Sequence, residues 1–207
     1  MNPELRRELL EMQNHDQAVR ARLTAEGSLF DGYHPEMQSV HDENAARLEE
    51  IIEAHGWPCR SVVGEDGSRA AWVILQHAIT KPVLQRRGLL LLQDAANRGE
   101  VPLVEVAMLE DRICFFEGRP QRYGTQYDWD ERGVPSPHPI EDMEHVDERR
   151  EQLGLLPLED NTRRMREGVV MDGEGRPRDW ETQHRAFLHW AMSVGWRRPH
   201  LTTERDR

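Results

Sequence analysis

The stretch Arg69-Ala70-Ala71-Trp72-Val73-Ile74-Leu75-Gln76-His77-Ala78-Ile79 constrains the fold more than any other part of the chain. From Ala70 to Leu75 no side chain is charged or strongly polar, and a helix apolar on nearly all sides belongs in a core. Gln76 and His77 then arrive together. A buried amide and imidazole cost free energy unless other segments supply hydrogen-bond partners. This helix is therefore the hub of a polar network or the floor of a site.

The flanking periodicity is helical. Leu5, Leu9, Leu10, Met12, Ala18 and Leu23 predict a helix over 3–26, opened by Pro3. Asp16 and Arg20 lie four apart on it and are spaced to pair. Met37, Val40, Ala45, Leu48, Ile51 and Ile52 predict a second helix over 36–55, stopped by Gly56. Gly64-Glu65-Asp66-Gly67-Ser68 reads as a turn capping the central helix. Further helices are expected over 83–98 and from Pro102 to about Phe116.

After Gly118 the period changes. Residues 119–129 alternate like a strand, and Asp130-Glu131-Arg132-Gly133 reads as a turn. Pro135, Pro137 and Pro139 restrict the return to an edge or an extended segment. A short charged helix is expected over 141–153. The fold class is thus mostly α: a compact multi-helix domain with a short β-hairpin or extended segment near 119–140. Residues 1–158 form that domain and 159–178, charged and Gly-rich, a linker. Residues 179–207 form a C-terminal amphipathic helix and polar tail.

A chain of 207 residues is long enough to bury a sizeable core. Its net charge of −11 argues against nucleic acid, whose backbone needs a basic face. No stretch approaches the ~18 apolar residues of a membrane span, and no signal-peptide pattern opens the chain. Cys59 and Cys114 form no disulfide framework and no metal-type pair. A cytoplasmic protein is expected.

Several motifs together resemble a bacterial family known only as a domain of unknown function. They are Trp72-Val73-Ile74-Leu75-Gln76-His77-Ala78, Asp111-Arg112, Gly118, Gln121-x-Tyr123-Gly124-Thr125-Gln126, Asp16-Gln17-x-x-Arg20, His41-x-x-Asn44 and Gly56-Trp57-Pro58. The resemblance covers roughly 3–158 and implies a compact, mostly helical unit. It implies no activity.

The polar residues set among apolar ones suit acid–base work on a small polar molecule. In that reading His77 is the base, Asp111 orients it, and Tyr123 holds or protonates an oxygen. Asp16, Arg20, His41, Asn44, Gln76, Arg112, Gln121 and Gln126 contact the ligand, with Trp72 as an apolar wall. No cofactor is indicated. Two other readings stay open. In one, the polar set is structural and the chain is a ligand-binding or interaction module; Trp180, Phe187, Trp190 and Trp196 would then offer the C-terminal helix to a protein partner or a second copy. In the other, the doublets His15-Asp16 and His41-Asp42 belong to a metal-dependent phosphohydrolase of the His-Asp type. Their spacing is not diagnostic, so no metal ligand is assigned.

Overall fold

The structure is a computed structural model describing residues 1–29, 33–172 and 179–198. Eight α-helices and one two-stranded antiparallel sheet make up the described residues. Part of the loop expected before the second helix, the end of the expected linker and the polar tail lie outside them.

Helix α1 (Pro3–Ala25) begins where the sequence indicates: the Asn2 side chain accepts from the Leu5 amide, and Pro3 occupies the first turn. Helix α2 (Pro35–His55) is opened by His34 and Pro35 and ends at Gly56, whose φ of 74° takes the chain out of the helix. Helix α3 (Arg60–His77) is the central one and starts earlier than expected. The predicted 64–68 turn is a kink: Gly64 alone leaves helical geometry, at φ 78°. Asp66 receives the Gly67 amide and binds Arg6 of α1, which fastens the kink.

Helices α1 and α2 both pack on α3, while α4 (Pro82–Asn97) and α5 (Leu103–Glu117) pair on its other side. Ala70, Ala71, Ile74 and Leu75 are essentially closed to solvent, as their unbroken apolarity requires. Gly88 lets α4 approach α3: a Cβ there would lie 2.5 Å from the Leu75 side chain.

The hairpin is shorter than its alternation suggests. Strand β1 (Tyr127–Trp129) pairs with β2 (Pro135–Pro137), Asp128 opposite Ser136. Residues 122, 123 and 125 cannot join a ladder because their amides are donated to Asp111. The charged segment after it splits into a 3-10 turn (Met143–His145) and α6 (Val146–Glu151).

Most of the stretch read as a linker is helical. Helix α7 (Leu158–Asp172) packs along β2 and α6. Asn161 donates to the Tyr127 hydroxyl, and Arg166 donates to the Pro135 carbonyl. Its many charges line the exposed side of a surface helix, a pattern that composition alone does not separate from a linker.

Helix α8 (Trp180–Ser193) returns to the domain. Ala191 and Trp196 are buried in the main core. Trp196 stacks on Phe116 and donates its indole N–H to the Ile79 carbonyl at 2.6 Å. The aromatics expected to face a partner thus pack largely on α5 of their own chain.

Candidate functional site

Three helices converge on one carboxylate. Asp16 of α1 is buried, and its Oδ2 lies 2.7 Å from His77 Nδ1 of α3 and 3.2 Å from His41 Nε2 of α2. The hydrophobic stripes of α1 and α2 face α3, which turns these polar residues toward the same seam. Ligand atoms of the three residues all lie within 4.8 Å of one another. Asp16 Oδ1 and His41 Nε2 are sealed from solvent without a hydrogen-bond partner among the described residues. At 3.2 Å His41 Nε2 is close to the carboxylate but not aligned to bond it.

The surroundings hold these groups in place. The Tyr33 hydroxyl lies 2.7 Å from His41 Nδ1 and stacks its ring on the imidazole. Burial first, then the charges of Asp42 and Asp16, pushes the Tyr33 phenol well above its ordinary range, so it stays neutral. Asp42 turns away from the centre and accepts from the Thr80 hydroxyl just past α3. Burial opposes ionisation of Asp16, but the close approach of the His41 and His77 imidazoles and their charge hold its carboxyl well below the usual range. The His77 side chain is 31% exposed, which leaves the centre one open side.

Other expected residues adjoin this centre. Asn44 donates to the Met12 carbonyl, tying α2 to α1 one turn from Asp16. Gln76 is buried beside His77, and Arg112 donates to the Gln76 carbonyl at 3.2 Å. Arg20 points to solvent and makes no ion pair with Asp16 among the described residues.

Of the remaining expected residues, Asp111, Gln121, Tyr123 and Gln126 form a second, separate cluster. The pairing of His77 with Asp111 is corrected: the carboxylate at His77 is Asp16. Asp111 instead accepts the amides of Arg122, Tyr123 and Thr125 and the Thr125 hydroxyl, at 2.7 to 3.2 Å. Gln121 is fully buried, donates to the Gln126 and His138 carbonyls and accepts the Gln126 amide. Gln126 donates to Thr125. The Tyr123 ring packs under Arg122, and its carbonyl accepts from buried Arg150. Trp72 is a core residue whose indole N–H donates to the Glu105 carbonyl. These side chains hold a loop.

Three contributors lie outside the residues singled out in the sequence. Tyr33 carried no signal beyond its place before the α2 cap. Gln85, a polar residue within an apolar helix, was detectable by the same logic as Gln76; it donates to the Leu75 and Gln76 carbonyls and so supports the end of α3. Arg150 read as one charge among many. Beside the centre, a cleft of about 840 Å³ opens between α8, the end of α5 and β1, with Tyr33, Ile79, Phe115, Trp129, Phe187 and Trp190 among its walls. Tyr33 is common to the cleft and the centre.

Fold and site together define a mostly helical protein with a buried histidine–carboxylate centre where three helices meet. The chain belongs to a family of unknown function, DUF6624, whose profile matches residues 3–172 and so takes in α7. No curated protein and no solved structure matches the chain. None of its described helices is long and apolar enough to cross a membrane.

Proposed function

We propose that the chain is a metal-dependent enzyme hydrolysing a small polar molecule, with Asp16, His41 and His77 holding one divalent transition-metal ion. The observation that carries this reading is the convergence of the three ligand atoms with Asp16 Oδ1 and His41 Nε2 left buried and unpaired. Buried polar atoms without partners are uncommon and costly. An ion among them satisfies both. Two imidazoles and a carboxylate suit zinc, manganese or iron. A histidine that gives Nε2 to a metal keeps its proton on Nδ1, and the Tyr33 hydroxyl is in place to accept that proton's hydrogen bond.

Three protein ligands leave positions open for water and substrate, the arrangement of a catalytic rather than a structural site. An ion held by Asp16, His41 and His77 would supply an activated water for hydrolysis. The open side at His77 is the approach for substrate. Two separate buried thiols accord with a cytoplasmic setting.

One observation favours a second reading. His77 Nδ1 and Asp16 Oδ2 are at the distance of a histidine oriented by a carboxylate, which would leave Nε2 to act as a general base without metal. Calorimetric titration of chelator-treated protein with Zn²⁺ or Mn²⁺ separates the two. One saturable site per chain, lost in Asp16→Asn and His41→Ala with the helical signal intact, is expected of the metal enzyme. No uptake by the wild type leaves the acid–base dyad.

A further inference from the structure

Arg112 is a half-buried cation without an anion among the described residues. Its NH1 donates to the Gln76 carbonyl, while its Nε is sealed and unpaired among the described residues. No carboxylate pairs with it there. Arg6, Arg47, Arg69 and Arg86 each have one, in a chain with 38 acidic residues. Burial alone pushes the guanidinium down to about 10. A sealed guanidinium N–H without an acceptor is unfavourable. Gln76, whose carbonyl Arg112 binds, carries a second buried donor without a partner, its Nε2. Arg112 keeps part of its surface open, so a small ion can reach it.

We infer that Arg112 and Gln76 form an oxyanion site, which takes a carboxylate or phosphate group of the substrate. Both unpaired groups are donors, and a planar guanidinium matches the paired oxygens of either anion. Gln76 immediately precedes His77 at the end of α3, so an anion held there lies within a small molecule's length of the metal centre. The inference names the charge of the substrate. It rests on the hydrolase reading for the reaction but not for binding.

The test is calorimetric titration of the full chain with inorganic phosphate and with acetate, chloride serving as the ionic-strength control. Binding to metal directly is removed by repeating the titration in Asp16→Asn. Saturable binding of phosphate or acetate by wild type and Asp16→Asn, weakened tenfold or more in Arg112→Gln and Gln76→Leu, supports the site. Preference for phosphate points to a phosphate ester, and preference for acetate to a carboxylic acid. If Arg112→Gln does not fold, Gln76→Leu decides alone. Absence of saturable binding, or equal binding by Gln76→Leu, overturns the inference. Metal uptake by Gln76→Leu is read separately, so loss of anion binding with metal retained is distinct from failure of the metal reading.

Discussion

Replacing Asp111 with asparagine removes one oxygen from the carboxylate that organises residues 122–125. In the native fold Oδ1 accepts the Arg122 amide at 2.7 Å, and Oδ2 accepts the Thr125 amide at 2.9 Å and its hydroxyl at 3.0 Å. Whichever way the new amide turns, its NH₂ group faces a backbone N–H, and that buried donor loses its acceptor. A hydrogen bond to a charged group contributes about 1.5–3 kcal/mol, and an unsatisfied buried group costs about 1–3 kcal/mol more. The expected loss is about 3–5 kcal/mol. For a protein of this size it corresponds to a drop in Tm of about 6–20 °C. Urea denaturation, with the slope unchanged, gives the free energy directly. Metal uptake per folded chain should stay at the wild-type value, because Asp111 holds a loop and not His77. A loss below about 1 kcal/mol, or loss of metal without loss of stability, would refute the assignment.

Three further outcomes follow from the packing. Gly88→Ala puts a methyl 2.5 Å from Leu75, which is fully buried and cannot withdraw, so about 1–3 kcal/mol of stability should be lost in chemical denaturation despite alanine's better helix propensity. Trp196→Ala removes the stack on Phe116 and the bond to Ile79; about 3–5 kcal/mol should disappear, and α8 should become the first site of limited proteolysis. Burial raises the Glu105 carboxyl above its ordinary range, with Arg69 only partly opposing the rise. A raised folded-state value means the fold holds the proton more tightly. Stability therefore falls as pH rises through the ordinary carboxyl range to that raised value, and then levels. Glu105→Gln should flatten this part of the urea-midpoint profile between pH 4 and 8, and parallel profiles would contradict the cause.

What was legible in the sequence was whatever a single helix encodes. The apolar run Ala70–Leu75 identified the core helix, and Pro3, Gly56 and Gly118 marked the ends of others. Asp16, His41, Gln76 and His77 stood out because polar groups beside apolar stripes need partners. Which partners they meet was not legible. Asp16 and His77 are 61 residues apart, and their meeting depends on the rotation of α1 against α3. The error over Asp111 has the same origin: its partners are backbone amides, and any sequence provides those. The helix in the expected linker was hidden because the described contacts that hold α7 include polar bonds to Tyr127 and Pro135, which composition does not reveal.

The central claim is that Asp16, His41 and His77 hold a metal ion, and native mass spectrometry of the untagged chain tests it most directly. After incubation with one equivalent of Zn²⁺ and buffer exchange, the expected spectrum shows one bound ion per chain for the wild type and none for Asp16→Asn. A wild-type chain that emerges without metal, or an Asp16→Asn chain that retains it equally, would contradict the account.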